Sequence, residues 1–335
     1  CTGGNAGGIA GTASVMDSRF QVRINDCVNE GLVSAPDYYY AGIVGNAYVN
    51  ATDGEMTISG CINQQDFTEG EGAGILHHAA LSDGGTMILA DDVNHGAIST
   101  EGQDAAGILA YVTNMGANWN LTVERCVNTG TISSSLHAGG IICFTYFPAT
   151  QDQNTTFTVT DCENSGNLST SKINGYMGGI VAVDGLMLTK TQITGCRNTG
   201  DITFEGNLTV GKDEKETVEN KNAFTLSVTG GGIVGRVGQS LLLSVDADKP
   251  DKSMIGIEDA LVTISDCEST GSLTAQNPEK GDGVSEEYKE KYADALWQSN
   301  LGGILGDCSC TEGYSVRIEN CTHNAENEIG NPKLR

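Results

Sequence analysis

Basic residues, proline and long apolar runs are all scarce in this sequence. Its 335 residues include 18 Lys and Arg against 43 Asp and Glu, which gives a net charge of −25. Because phosphate groups are bound by concentrated Lys and Arg, neither a nucleic acid nor an anionic membrane surface is expected as a partner. No stretch of about 18 apolar residues occurs, so no membrane-spanning helix is predicted. A hydrophobic content of 39% argues against an extended disordered chain.

Glycine is abundant, with 45 residues, and much of it falls in a repeated box of the form Gly-Ile followed by Val, Leu, Ile or Ala. The glycine before the isoleucine recurs at intervals of 34, 32, 33, 33, 39, 53 and 71 residues, so insertions are expected in the last three intervals. The eight copies of this glycine are Gly8, Gly42, Gly74, Gly107, Gly140, Gly179, Gly232 and Gly303.

A second box alternates with the first and has the form Cys-x-Asn-x-Gly. Its cysteines are Cys27, Cys61, Cys126, Cys162, Cys196, Cys267 and Cys321. Its asparagines are Asn29, Asn63, Asn94, Asn128, Asn164 and Asn198. In the third copy Asp92 takes the cysteine position.

Hydrophobic residues alternate with other residues before each cysteine, as Val22 and Ile24 do before Cys27. This period of two indicates strands, and each unit of about 33 residues offers three short strands with little helix, the third of them through the Gly-Ile box. The sequence therefore predicts one all-β domain over 1–335, a right-handed parallel β-helix (a solenoid) of about eight rungs. A bend is expected just before each cysteine.

Three insertions are predicted in the C-terminal half, over 203–230, 238–260 and 276–300. The last contains a predicted helix over Glu286–Trp297 with Ser285 as its N-cap. Stacking of identical rungs predicts an asparagine ladder, whose side-chain amides bond along the solenoid. The cysteines are interpreted as buried free thiols, because in-register side chains point the same way and suit a disulfide poorly. Disulfides remain an alternative.

The two alternating boxes resemble GLUG-type repeats of secreted and surface proteins of Gram-positive and gut bacteria, over nearly the whole chain. This resemblance implies an extracellular or cell-surface, adhesin-like protein. Similar repeats accompany immunoglobulin A peptidases, but no His-Glu-x-x-His string occurs here, so that zinc chemistry is not expected. No cofactor is expected, although bound calcium is possible in such an acidic protein.

Two sets of residues are candidate sites. The third unit holds His77, His78, Asp91 and Asp92, which could bind a metal; the alternative is a locally open corner in which Asp92 accepts bonds from turn amides. Aromatic residues could line one edge of the solenoid and stack on sugar rings, with ordinary loop packing as the alternative. These aromatic candidates are Tyr48, Tyr111, Trp119, Phe144 and Tyr146.

The functional prediction is a non-catalytic secreted or cell-surface protein that binds a glycan or a host or other extracellular protein. It is expected as a monomer or as part of a longer chain. Two alternatives remain open. One is a carbohydrate-active enzyme, either a polysaccharide lyase or a glycoside hydrolase, and the other is a passive stalk.

Overall fold

A computed structural model of the chain describes residues 5–34, 39–68, 70–100, 104–114, 116–146, 155–171, 175–185, 190–205, 225–238, 260–275, 296–308, 314–324 and 329–330. The described residues form five parallel sheets, four of eight strands and one of six, which confirms the all-β solenoid. We name the sheets A to E in the order in which the chain visits them. Each circuit through the sheets is one rung of about 4.8 Å, the spacing of paired strands. Rungs 1 to 8 begin at Ala6, Tyr39, Glu71, Asp104, His137, Tyr176, Thr225 and Leu296.

The first two sheets flank the Gly-Ile box. Sheet A contains Ala6–Gly7, Tyr39–Ala41, Glu71–Ala73, Asp104–Ala106, His137–Gly139, Tyr176–Gly178, Thr225–Gly231 and Leu296–Gly302. Sheet B contains Ala10–Val15, Val44–Val49, Leu76–Leu81, Leu109–Asn114, Ile142–Tyr146, Val181–Asp184, Val234–Val237 and Leu305–Cys308.

The next two sheets flank the cysteine. Sheet C contains Gln21–Asn25, Glu55–Ser59, Thr86–Ala90, Asn120–Glu124, Thr156–Thr160, Lys190–Thr194, Ala260–Ser265 and Tyr314–Glu319. Sheet D contains Val28–Asn29, Ile62–Asn63, Val93–Asn94, Val127–Asn128, Glu163–Asn164, Arg197–Asn198, Glu268–Ser269 and Thr322–His323. The smaller sheet E contains Ile98–Ser99, Ile132–Ser134, Leu168–Thr170, Ile202–Phe204, Leu273–Ala275 and Ile329–Gly330.

A complete rung therefore holds five strands, where the sequence predicted three. The predicted third strand through the Gly-Ile box is in fact a bend between sheets A and B. Glycine is required at this bend because a side chain of sheet D fills the space beside it. A Cβ on Gly107, for example, would lie 2.2 Å from the carbonyl oxygen of Gly140 and 2.5 Å from Cγ of Asn128.

The predicted bend before each cysteine is present in every rung. The residue just before the cysteine position has a positive φ, between 52° and 66°, which ends the sheet C strand and turns the next side chain inward. We call these eight exposed or half-buried residues the bend row. In order, they are Asp26, Gly60, Asp91, Arg125, Asp161, Gly195, Asp266 and Asn320.

In the bend row, odd rungs carry an acid and even rungs carry another residue. Each acid therefore lies next to the uncharged or basic bend-row residue of the following rung. The Asp91 carboxylate receives two bonds from Arg125, at 2.7 and 2.9 Å. The Asp266 carboxylate receives one bond from the Asn320 amide, at 3.2 Å. Two like charges are therefore never direct neighbours along this row.

The six asparagines form a continuous ladder along sheet D. Each side-chain nitrogen donates to Oδ1 of the next asparagine, at 2.7 to 2.9 Å. In rungs 2 to 6 the same nitrogen also donates to the carbonyl oxygen two residues further along its own turn. The ladder ends in rung 7, where Ser269 replaces asparagine and its buried hydroxyl has no hydrogen-bond partner.

The nine described cysteines carry free thiols. In the cysteine row, each thiol lies close to carbonyl oxygens at the bend. Sγ of Cys126, for instance, is 3.4 Å from the carbonyl oxygen of Glu124 and 3.8 Å from that of Leu89 in the rung below. Burial raises the pKa of the Cys61 thiol to about 12, so this thiol stays protonated at neutral pH.

Strands of sheets A, C and E include residues at the ends of the three predicted insertions, namely 203–204, 225–230, 260 and 296–300. Their remaining parts, 206–224, 239–259 and 276–295, lie outside the described residues. The predicted helix over Glu286–Trp297 is wrong at its C-terminal end. Leu296 and Trp297 begin a strand that pairs with Thr225 and Leu226, so sheet formation prevails there over the helical pattern.

Candidate functional site

An outward-facing row of side chains on sheet B contains two of the predicted aromatic residues, Tyr111 and Phe144. Strand pairing places His78 beside Tyr111, and Tyr111 beside Phe144. Each of these three residues follows the glycine of its Gly-Ile box by four positions, so the repeat itself brings them into register. The same row continues through Val183 to Arg236 in rung 7.

The rings along this row contact one another. Ring centroids are 5.6 Å apart for His78 and Tyr111, and 5.6 Å apart for Tyr111 and Phe144. Tyr48 meets His78 edge-on at 5.9 Å. The Tyr111 and Phe144 planes differ by only 6°, so these two rings are stacked.

The line of rings then crosses to sheet A. The ring of Phe144 stacks on His137 at 5.7 Å, and His137 stacks on Tyr176 at 5.0 Å. We call the six connected residues the aromatic strip. It consists of Tyr48, His78, Tyr111, Phe144, His137 and Tyr176, and it runs from rung 2 to rung 6.

Arg236 lies at the far end of the strip. Its Nη1 donates to the Tyr176 hydroxyl at 2.5 Å, and its guanidinium carbon lies 5.1 Å from the centre of the Tyr176 ring. The Asp307 carboxylate is 3.6 Å from its Nε. The strip thus ends on a largely buried cation that is held by an aromatic ring and an acid.

Stacking limits what the strip presents to a ligand. Tyr111 is half-buried and has a ring on either side of it along the row, so neighbouring rings lie against it from both directions. The structure therefore differs from the expected arrangement of exposed ring faces. Five rings of the strip are half-buried and remain partly accessible, whereas His137 is buried.

Of the other predicted aromatic residues, Trp119 does not line this surface, and the side chain of Tyr146 is outside the described part of the structure. Trp119 is fully buried in the main core between sheets B, C and D, so its indole presents no face to a ligand. This corrects the prediction that it lines the edge. The backbone of Tyr146 pairs with Thr113, but the Tyr146 side chain lies outside the described part of the structure.

The histidines of the strip are neutral. Burial lowers the pKa of His137 to about 3, and its Nδ1 accepts a hydrogen bond from the backbone N–H of Tyr176 at 3.1 Å. Burial also lowers the pKa of His78, whose Nε2 lies 2.7 Å from the Thr113 hydroxyl. The strip therefore has uncharged polar groups at its centre.

Two carboxyl groups lie beside the strip on sheet A. Glu71 and Asp104 occupy neighbouring strands in the same register, and His137 is the next residue in that row. Burial, and then the negative charge of Glu71, raises the pKa of Asp104 to about 7. Sγ of Cys143 is 3.9 Å from Oδ1 of Asp104.

Sequence reasoning missed the sheet A part of this site. Glu71, Asp104, His137 and Tyr176 each precede the glycine of a Gly-Ile box by three positions. That constant offset was the available signal. To use this offset, one would have to recognise that a strand ends just before the box.

The structure does not bring the four predicted metal ligands together. His77 is buried and stacks on Tyr39 at 4.5 Å, while burial lowers its pKa to about 3. Asp91 is exposed at the bend and bound to Arg125. Asp92 lies on the other side of the same bend, away from the sheet B histidines. Among the described residues, no three His, Cys, Asp or Glu side chains are placed to share a metal ion.

Asp92 sits within the row of thiols and is completely buried. Its Oδ1 accepts a hydrogen bond from the backbone N–H of Cys61 at 2.8 Å, in agreement with the alternative of bonding to a bend amide. The corner is closed, however, rather than open as that alternative assumed. Oδ2 has no hydrogen-bond partner, and burial raises the pKa of the carboxyl to about 8.

The described part of the chain contains no helix long and apolar enough to cross a membrane. Comparison of the sequence with protein-family models and with curated proteins, and of the fold with solved structures, finds no match.

Proposed function

We propose that this chain is a non-catalytic, adhesin-like binding module of the GLUG-repeat type, displayed outside a bacterial cell, and that it holds a glycan along the aromatic strip. The observation that supports this proposal is the unbroken series of ring contacts from Tyr48 to Tyr176 on one side of the solenoid. Over four rung spacings it covers about 19 Å, the length of a short oligosaccharide.

The chemistry of the strip suits a neutral sugar chain. Partly exposed rings can contact the C–H groups of sugars, and tyrosine hydroxyls can exchange hydrogen bonds with sugar hydroxyls. Its neutral histidines carry no charge that would attract a polyanion. A net charge of −25 also repels acidic polysaccharides.

A glycan array followed by calorimetric titration tests the proposal. Tyr111→Ala removes the ring between His78 and Phe144 and should weaken binding about fivefold, since an aromatic contact contributes about 1 kcal/mol. Phe20→Ala is the matched control, because Phe20 is an exposed aromatic residue away from the strip. Equal affinity of the Tyr111 variant and wild type would refute binding at the strip. Absence of any ligand would favour the passive stalk.

Display outside the cell rests on the repeat resemblance and needs its own test. Surface biotinylation of the bacterium that produces the protein should label it in intact cells. Labelling only after lysis would contradict this part of the proposal.

A second candidate function, glycoside hydrolysis, is favoured by Glu71 and Asp104. Retaining glycosidases use two carboxyl groups about 5 Å apart, one of them a general acid with a raised pKa. Adjacent parallel strands place residues in register about 4.8 Å apart. Here Asp104 would protonate the leaving oxygen and Glu71 would act as the nucleophile.

The two functions can be separated with one variant. Asp104→Asn removes the acid while keeping the size of the side chain. If the protein is a hydrolase, wild type releases reducing ends from a bound oligosaccharide, and the variant binds that oligosaccharide but does not release them. Binding without cleavage by wild type would eliminate the hydrolase.

A further inference from the structure

The cysteine row contains four thiols in consecutive rungs in the interior of the solenoid. They are Cys126, Cys162, Cys196 and Cys267, in rungs 4 to 7, and each is at most 1% exposed. Every one of these rungs has a paired rung on both sides within the described chain. All four side chains are free thiols. Four buried groups that can bind soft metals therefore lie in one line and have no role in the proposed function.

The four thiols occupy the same place in their rungs. Each Sγ lies 3.2 to 3.5 Å from the carbonyl oxygen two residues before it. It also lies 3.6 to 3.8 Å from a carbonyl oxygen of the rung below. Because both contacts repeat, consecutive sulfur atoms are separated by about one rung, or about 4.8 Å. The Cys196 thiol accordingly interacts with Cys162 on one side and with Cys267 on the other.

This spacing suits a bound metal ion better than a disulfide. A disulfide holds its sulfur atoms about 2.05 Å apart and its Cβ atoms about 3.5 to 4.5 Å apart. Parallel side chains separated by about 4.8 Å meet neither requirement. A metal–thiolate bond is about 2.3 Å long, so two such bonds in line span about 4.6 Å. The gap between neighbouring sulfur atoms therefore fits one two-coordinate ion with little movement of the backbone.

We propose that the cysteine row binds Cu(I), a soft monovalent cation, with one ion between the thiols of Cys126 and Cys162 and one between those of Cys196 and Cys267. Thiolate ligands select Cu(I). Zinc requires four ligands, and among the described residues no three side chains are placed to share an ion. Each sulfur serves one ion, because bonds to ions on both of its sides would lie in one line.

Binding leaves the charge of the core unchanged. One thiol of each pair gives its proton to solvent, and the ion takes the place of that proton between the new thiolate and the remaining thiol. No atom is oxidised or reduced. The pair stays neutral, which suits a buried site because an isolated buried charge is costly. Each pair also lies beside an exposed acid of the bend row, Asp161 or Asp266, whose negative charge attracts cations.

Anaerobic titration with Cu(I), supplied as its weak acetonitrile complex, tests this proposal. The copper that stays with the protein after desalting is counted per chain. Two double variants remove the same number of thiols. Cys162→Ala/Cys267→Ala leaves no two thiols in adjacent rungs from rung 4 onward, so it should bind two ions fewer than wild type. Cys126→Ala/Cys162→Ala keeps Cys196 beside Cys267, so it should bind only one ion fewer.

Two measurements on the wild-type protein complete the test. X-ray absorption should show two sulfur neighbours per ion at about 2.3 Å. Copper should also raise the Tm, because an ion that binds only the folded chain stabilises it. The proposal is wrong if both variants lose the same number of ions, if wild type retains none, if each ion has three or more sulfur neighbours, or if copper lowers the Tm. Circular dichroism verifies that both variants are folded, and none of these results depends on glycan binding at the strip.

Discussion

At the scale of the residue, Asp92 shows how one substitution disturbs a repeated row. Other rungs place a thiol at this position, whose hydrogen-bonding needs are small. A carboxyl group has two oxygens, and here only Oδ1 has a partner, the backbone N–H of Cys61. The structure keeps this group protonated at neutral pH, since burial raises its pKa to about 8.

We predict that Asp92→Cys stabilises the protein, and more so as the pH rises. In the unfolded chain this carboxyl ionises near pH 4, whereas in the folded chain it keeps its proton to about pH 8. Its contribution to stability therefore falls as the pH rises from about 4 to 8, by on the order of 5 kcal/mol, and is constant above that range.

Urea unfolding at pH 5 and pH 8 measures this difference. The gain from Asp92→Cys should be larger at pH 8. Asp92→Asn cannot ionise but keeps the size of the side chain. It should also remove the pH dependence of stability that is due to Asp92. A gain that is equal at both pH values would contradict the prediction.

At the scale of the element, the Gly-Ile box and the asparagine form one packing unit although they are distant in the sequence. The glycine lacks a side chain because the asparagine of the same rung lies against it, as Asn128 does against Gly107. This one contact therefore explains both the glycine of the first box and the asparagine of the second. A pattern search finds both boxes but not the contact between them.

We predict that Gly107→Ala destabilises the protein by about 3 kcal/mol, the scale of overpacking in a filled interior. Its added Cβ would overlap a backbone oxygen and the Asn128 side chain. Gly31→Ala is the matched control, since its nearest contact would be an ordinary 3.9 Å and little loss is expected. Thermal unfolding compares the stability of the two variants. Equal losses of stability would show that the close contacts at Gly107 do not determine the cost of the added methyl group.

The asparagine ladder can be extended by one rung. Ser269→Asn should place a new Oδ1 within reach of the Asn198 amide and a new amide near the carbonyl oxygen of Gly271, as in the rungs before it. We expect a gain of about 1 kcal/mol per bond formed.

Chemical denaturation of Ser269→Asn measures this gain. The control is Ser165→Asn, an exposed position next to the ladder, which should leave stability almost unchanged. If Ser269→Asn is neutral or destabilising, the space beside Gly232 does not admit the larger side chain.

The sequence was sufficient to predict the elements that repeat with fixed spacing. The parallel rungs, the bend before Cys27 and the inward asparagines all follow from period-two alternation and its interruption. The bend at the Gly-Ile box, which separates the strands of sheets A and B, could not be predicted. It depends on the packing of Asn128 against Gly107. Tyr111 and Phe144 follow the box and were predicted as site residues. His137 and Tyr176 precede the box, on a sheet A strand that was not expected, and they were missed.

At the scale of the whole molecule, stability should decrease from the middle towards both ends. Each rung contacts only its neighbours, and the terminal rungs have a neighbour on one side within the described chain. Burial within the described chain follows the same order, because Ile58 in rung 2 is fully buried while Ile24 in rung 1 is half-buried.

Hydrogen exchange followed by mass spectrometry tests this gradient. Amides of rungs 3 to 6 should be protected the most, and those of rungs 1 and 8 the least. Uniform protection along the chain would instead indicate that the solenoid opens as a single unit.

The alternating bend row sets a rule for how this solenoid can change in length. Removing a single rung, such as rung 2, would bring Asp26 directly against Asp91. Removing two consecutive rungs would instead bring Asp26 against Arg125 and keep acids apart. The row therefore limits which single rung can be lost: loss of rung 2, 4 or 6 would join two acids, whereas loss of rung 3 would join Gly60 to Arg125 and keep the acids apart.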